Sequence, residues 1–185
     1  MLDDILTECK EKMDGAIHSL EQDLLGMRGN RASTSLVDRL KVEYYGMESD
    51  LRTLATISTP EPMQILIRPY DKGATKSIEK AIMEANLGMN PNTDGDVIRL
   101  NMPALTRERR QELVKFLHKR IEDARIALRN VRRSANDDIK EYEKEKMIGE
   151  DDAKTGQDKV QKMTDEHVAK VEELGKNKES EIMGV

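Results

Sequence analysis

The chain has 185 residues and a net charge of −5, enough length for one domain or two small ones with a real core. Charged residues make up 36% of it and aromatics 3%, with no tryptophan, a mixture suited to long surface-rich helices rather than a thick globular core. No stretch approaches the roughly 20 apolar residues of a membrane span, and Met1-Leu2-Asp3-Asp4 lacks the basic lead and apolar run of an export signal, so a cytoplasmic protein without membrane contact is expected.

Residues 2–27 read as a first helix, with Leu2, Leu6, Cys9, Met13, Ala16, Leu20 and Leu24 on one face and Gly26 and Gly29 bracketing its end. Cys9 is the only cysteine, so no internal disulfide can form, and its apolar position suits a buried, inert thiol in a reducing compartment. All five prolines, Pro60, Pro62, Pro69, Pro91 and Pro103, then fall between this helix and the next long one. So sharp a shift marks a separate module. Within it the apolar period becomes two: Leu40, Val42 and Tyr44 alternate with charged residues, Ala55, Ile57 and Thr59 recur at every second position, as do Met63, Ile65 and Ile67, and residues 97–100 give one more short strand. Thr75 is placed to cap a short helix carrying Ile78, Ala81, Ile82 and Ala85 on one face, with Gly88 just beyond it. The module therefore reads as one helix covering a small sheet.

Thr106 can cap a long helix running to about Met147, whose Leu117, Ile121, Ala124, Leu128, Val131, Ala135 and Tyr142 recur at spacings of three and four. Gly149 stops it, and Glu150, Asp151 and Asp152 supply the negative charge favoured at the start of a third helix. That helix turns Ala153, Val160, Met163, His167, Val171, Leu174 and Ile182 inward. The expected fold is α+β: a long antiparallel three-helix bundle formed by residues 1–29 and 105–185, with a β/α/β domain, residues 30–104, inserted between helix 1 and helix 2. Two chain crossings would tether the insert, which makes them hinge candidates.

Positive charge concentrates on the long helix, where residues 107–133 hold ten Lys or Arg against four Asp or Glu although the chain as a whole is acidic. Arg125, Arg129 and Arg132 form a stripe roughly 80–90° round from the apolar seam at about 100° per residue, with Arg133 just beyond. Two readings of this edge stay open. It can dock on a polyanion such as RNA backbone, since the planar guanidinium suits phosphate, or the arginines can lie along the bundle and pair with acids on neighbouring helices.

Other constellations carry less. Residues 90–101 have Asn90, Asn92, Asp94, Gly95 and Asp96 at offsets like those of a calcium loop, but position twelve is Asn101 rather than a bidentate glutamate and Pro91 sits inside, so a polar turn closed by Asp94-Gly95 is expected instead. His18, His118 and His167 lie on different helices without metal spacing, and His167 reads as a hydrogen-bonded core residue. No phosphate-cradling glycine loop, zinc signature or nucleophile elbow is present, and the scattered carboxylates single out no acid/base pair.

At Ala124–Asp137, ARIALRNVRRSAND, the sequence resembles the ribosome recycling factor family, and the resemblance covers essentially the whole chain. Arg28 and Arg31-Ala32-Ser33 match the segment leaving the first helix, Glu43-Tyr44-Tyr45-Gly46 the first strand, and residues 87–92 (LGMNPN) the loop after the small helix. Residues 105–110 (LTRERR) match the start of the long helix and 158–165 (DKVQKMTD) the third. The family usually has Thr-Gly where this chain has Gly29-Asn30, and Pro at Thr34. The resemblance implies a non-enzymatic, monomeric translation factor, L-shaped like transfer RNA, that needs no cofactor or metal. It implies binding to the post-termination ribosome and, with elongation factor G and its GTP hydrolysis, splitting of the subunits so that messenger and transfer RNA leave. The contacts to large-subunit ribosomal RNA are expected from Arg132, Arg129, Arg125 and Arg133, extended by Arg28 and Arg31, and a hinge from Gly29, Asn30, Arg31, Ala104, Leu105 and Thr106. A helical adaptor whose exposed edge binds a partner helix is the alternative; its affinity would not fall steeply with salt, whereas that of an RNA-docking edge would.

Overall fold

Ile5, Cys9, Met13, Ile17, Leu20 and Leu24 recur every three or four residues, and in the computed structural model, which describes residues 1–184, they form the buried stripe of α1 (Leu2–Leu25). The stripe is centred one position away from the expected face, with Leu2, Leu6 and Ala16 on its half-buried flank. Burial of Cys9 pushes its thiol pKa up, which suits a packing role.

The described chain is α+β and divides into two compact units, 1–24 with 111–180 and 25–110 with 181–184. In the first, α1 packs with most of α4 (Arg107–Lys144) and α5 (Glu150–Met183) as three long helices. α4 buries Leu117, Ile121, Ala124, Leu128, Ala135 and Ile139, and α5 buries Ala153, Val160, Thr164 and Val171. Cross-helix pairs fix the directions. Arg120 bonds Asp23, and Val131 and Ala135 lie beside Ile5 and Cys9, so α4 runs antiparallel to α1. His118 meets Glu179 and Ile139 meets Gly156, so α5 is antiparallel to α4 as well. Fully burying a side chain such as Met13, Leu20, Leu117 or Leu128 contributes about 1.5–3 kcal/mol, which outweighs the weak pairs at the helix surfaces. Gly175 permits close approach: a Cβ there would stand 3.0 Å from Ile121 Cδ1.

The second unit is built around Val37, Val42, Leu51, Ile65, Ile67, Ile78, Ile82, Ile98 and Leu100, all fully enclosed. A hairpin of β1 (Lys41–Tyr44) and β2 (Met47–Asp50) leads through the single turn α2 (Leu51–Leu54) into an antiparallel sheet. This sheet, of β3 (Ala55–Glu61), β4 (Gln64–Pro69), β5 (Pro91–Asp94) and β6 (Val97–Asn101), has the order β3-β4-β6-β5. The register aligns Ile57 with Ile67 and Ile67 with Ile98. Pro60 and Pro91 sit on its two edge strands, where a missing N–H breaks no central ladder. Residues 90–101 accordingly form the β5–β6 hairpin, turning at Gly95 (φ +61°).

α3 (Thr75–Glu84) contributes Ile78, Ala81 and Ile82 to this core. Thr75 is not its cap. The chain enters α3 through a 3-10 turn, Lys72–Ala74, whose Gly73 N–H donates to the Asp71 carboxylate at 2.9 Å. Thr106 does cap α4: its hydroxyl accepts the Arg109 N–H at 3.1 Å. The end of α5 belongs to this unit too, because the Arg110 guanidinium donates to the Ile182 carbonyl and, at 3.2 Å, to Asn30 Oδ1. The chain therefore passes between the units three times, at 24–25, 110–111 and 180–181, where the sequence suggested two crossings near Asn30 and Ala104.

Candidate nucleic-acid interface

The cationic edge of α4 is graded along its length. Arg125 lies between two carboxylates, with Nη1 2.9 Å from Glu122 Oε2 and Nη2 2.5 Å from Glu172 Oε1 on α5. The bond to Arg125 holds the Glu122 carboxyl below its usual range, and the two acids push the Arg125 guanidinium up. Arg129 shares Glu122 from 3.4 Å, a looser pairing on a side chain that is 52% exposed. Arg132 and Arg133 have no ion-pair partner among the described residues; Arg132 is half-buried and Arg133 exposed. The pairing reading is thus realised at Arg125. Arg125 ties α4 to α5, while Arg132 and Arg133 keep their donors free.

The exposed strip is longer than ARIALRNVRR suggests. Lys115, Lys119, Glu122, Ile126, Arg129, Arg133 and Lys140 follow one another at spacings of three, four and seven, so they share one face of α4. Lys115, Lys119 and Lys140 are exposed. The signal was present in the spacing of the lysines, outside the arginine-rich stretch. Between Lys115 and Lys140 two acids share this face, Glu122 and the exposed Asp137, four residues after Arg133 and three before Lys140, and no described acid pairs with the three lysines.

Arg28 and Arg31 lie in the other unit and differ in kind. The Arg28 Nη2 donates to the Pro103 carbonyl, its Nε is buried without a partner, and burial followed by the charges of Arg109 and Arg110 lowers its pKa. It holds residues 28 and 103 together. Arg31 is exposed, with no ion-pair partner among the described residues. The six residues expected at a hinge all lie inside this second unit. Gly29 is buried, and a Cβ there would stand 2.2 Å from Glu181 Oε1, so the Glu181 side chain fills the space a larger residue would need.

The histidines form no cluster. His167 Nε2 lies 2.8 Å from Asp14 Oδ1 and Nδ1 2.7 Å from the Met163 carbonyl, joining α5 to α1. No helix of the described residues is long and apolar enough to cross a membrane.

What family carries this combination of helices, sheet and arginines is settled by comparison. The sequence model of the family described as ribosome recycling factor matches residues 20–183. The chain belongs to the ribosome recycling factor family. It is 51% identical to the ribosome-recycling factor of Carboxydothermus hydrogenoformans and 49% identical to that of Bacillus subtilis, each over 185 residues covering all of both chains. It superimposes on a solution structure of a ribosome recycling factor with TM-score 0.81 and 44% identity, covering 100% of this chain and 98% of the other. A second match, at TM-score 0.69, 40% identity and 98% of both chains, comes from models for the T. thermophilus ribosome recycling factor and the E. coli elongation factor G bound to the E. coli post-termination complex. Within the recycling-factor frame, the graded α4 edge separates Arg125, which pairs across helices, from Arg132 and Arg133, which have no ion-pair partner among the described residues.

Proposed function

We propose that this chain binds the post-termination ribosome in the cytoplasm and acts with elongation factor G, whose GTP hydrolysis drives separation of the subunits and release of messenger and transfer RNA. In this reading it is a docking factor and lever, not an enzyme. Arg132, Arg133 and Arg129, with Lys119 and Lys140 as outlying charges, meet phosphates of large-subunit ribosomal RNA and position the chain without reading bases. The single observation that carries the reading is the row of unpaired Arg132 and Arg133 next to an Arg125 that is fully matched by Glu122 and Glu172. Arg129 lies three and four residues before Arg132 and Arg133, so these like charges repel along the helix, an arrangement that a phosphate ligand relieves. Arg31 would add a further phosphate contact; Arg28 acts through its bond to Pro103.

The second part of the proposal is a joint. It is placed in the stretches Gly29-Asn30-Arg31 and Ala104-Leu105-Thr106, which lie inside the second unit a few residues from its crossings at 24–25 and 110–111; they yield when elongation factor G pushes, and the bonds of Arg28 and Arg110 set how stiffly they do so. A subunit-splitting assay with and without elongation factor G and GTP tests the whole. Splitting that needs this chain, the partner and GTP together supports it; splitting without the partner, or none with all three, contradicts it.

A further inference from the structure

The tip of the β1–β2 hairpin breaks two local rules at once. Its turn residues Tyr45 and Gly46 both have positive φ, +50° and +72°, a two-residue turn in which Asn-Gly is the unstrained choice. The chain instead places there a tyrosine that is 85% exposed. Across the ladder, Glu43 stands directly opposite Glu48, two like charges that destabilise a strand pair. Neither glutamate has a cationic partner among the described residues: the nearby Lys41 pairs with Asp50 at 2.6 Å and Lys80 with Glu84 at 3.8 Å.

The aromatic group is held in place. The Tyr45 ring lies with its centroid 4.3 Å from that of Tyr44, tilted by 57°. The Tyr44 hydroxyl donates to the Asp71 carboxylate, which also accepts the Gly73 N–H, so the supporting ring is anchored to the turn before α3. That bond holds the Asp71 carboxyl below its ordinary range. Met47, cross-strand from Tyr44, is 69% exposed, and Tyr70, next to Asp71, is 70% exposed. The hairpin thus carries Tyr44 and Met47 on one face, Glu43 and Glu48 on the other, and the exposed Tyr45 ring at its tip.

We propose that this hairpin tip docks an arginine-bearing segment of a partner protein, with one guanidinium on the Tyr45 ring and a second answered by Glu43 and Glu48 on the other face of the hairpin. Charge complementarity chooses the occupant. A nucleic acid would bring its phosphates against two unpaired carboxylates, whereas an arginine-bearing segment can stack one guanidinium on the aromatic ring and pair another with the carboxylates. The site goes beyond the RNA-docking role of α4 and stands whether or not that role does.

The full chain, labelled with nitrogen-15, is titrated with three probes: the peptide Gly-Arg-Gly-Arg-Gly, its glutamate counterpart and an oligouridylate. The arginine peptide shifts the amides of residues 43–48 and the other two leave them unmoved. Tyr45→Asn keeps a turn-compatible residue and weakens the response about threefold, the size of an exposed cation–π contact. Glu43→Gln with Glu48→Gln weakens it about threefold or more, and in neither variant does the thermal midpoint fall, because each removes a local conflict. The response survives Arg132→Ala with Arg133→Ala, which separates this site from α4. Movement of the tip by oligouridylate, an arginine response mapping elsewhere, or one unaffected by the tip variants overturns the proposal.

Discussion

Single guanidinium groups decide the chemistry of α4. Arg125 and Arg132 lie seven residues apart and nearly eclipsed on the helix, yet only Arg125 meets acids, because Glu122 precedes it by three residues and Glu172 reaches across from α5. Arg125→Ala should therefore cost up to about 1 kcal/mol of helix-unit stability, as an exposed ion-pair cluster does, while leaving the salt dependence of ribosome binding unchanged. Thermal unfolding and a salt titration of the same variant check both halves. A second residue-scale prediction concerns acid. The Asp14 pKa is lowered, first by its bond to Lys10 and then by His167, so its contribution to folding is complete above the ordinary aspartate value near 4 and is lost as pH falls through the lowered value. Far-ultraviolet circular dichroism between neutral pH and pH ~2 should show Asp14→Asn losing less helix over that window than the parent chain. An identical acid transition would remove Asp14 from the account.

At the scale of elements, two glycines in helices separate intrinsic propensity from packing. Gly15 is exposed in α1 with nothing within 4 Å of a Cβ built there, so Gly15→Ala should stabilise by about 0.5–1 kcal/mol, seen as a higher thermal midpoint. Gly175→Ala gains the same helix propensity but pushes a methyl against Ile121, which is itself buried, and overpacking at about 1–3 kcal/mol cancels or exceeds the gain. Elements were legible in the sequence where burial leaves a period. The stripe of α1 and the alternation of Ile65 and Ile67 in β4 follow from which side faces a core. β2 and β5, reading MESD and PNTD, enclose no side chain, so no alternation marks them, and they exist because β1 and β6 supply their hydrogen bonds. The start of α3 was missed because Asp71 organises a 3-10 turn ahead of Thr75. The arginine stripe was visible, but its sorting was not: Glu172 lies 47 residues from Arg125, and only the pairing of α4 with α5 brings the two together.

For the whole molecule, the claim is that a rigid helical unit carries the charge while a joint transmits force. Residues 181–184 belong with residues 25–110, tied by Arg110 to Ile182 and Asn30, a partnership between distant stretches of chain that no local pattern announces. A cross-link that fixes the two units to each other should leave ribosome binding intact and abolish subunit splitting; a cross-linked chain that still splits subunits rules out the joint. The most direct test of the central claim is ribosome affinity measured across a salt series for the parent chain and for Arg132→Ala with Arg133→Ala. The account predicts weaker binding and a log–log salt slope shallower by about 2, one unit for each phosphate contact removed, with helix content unchanged. Equal affinity and equal slope for the two chains would contradict it.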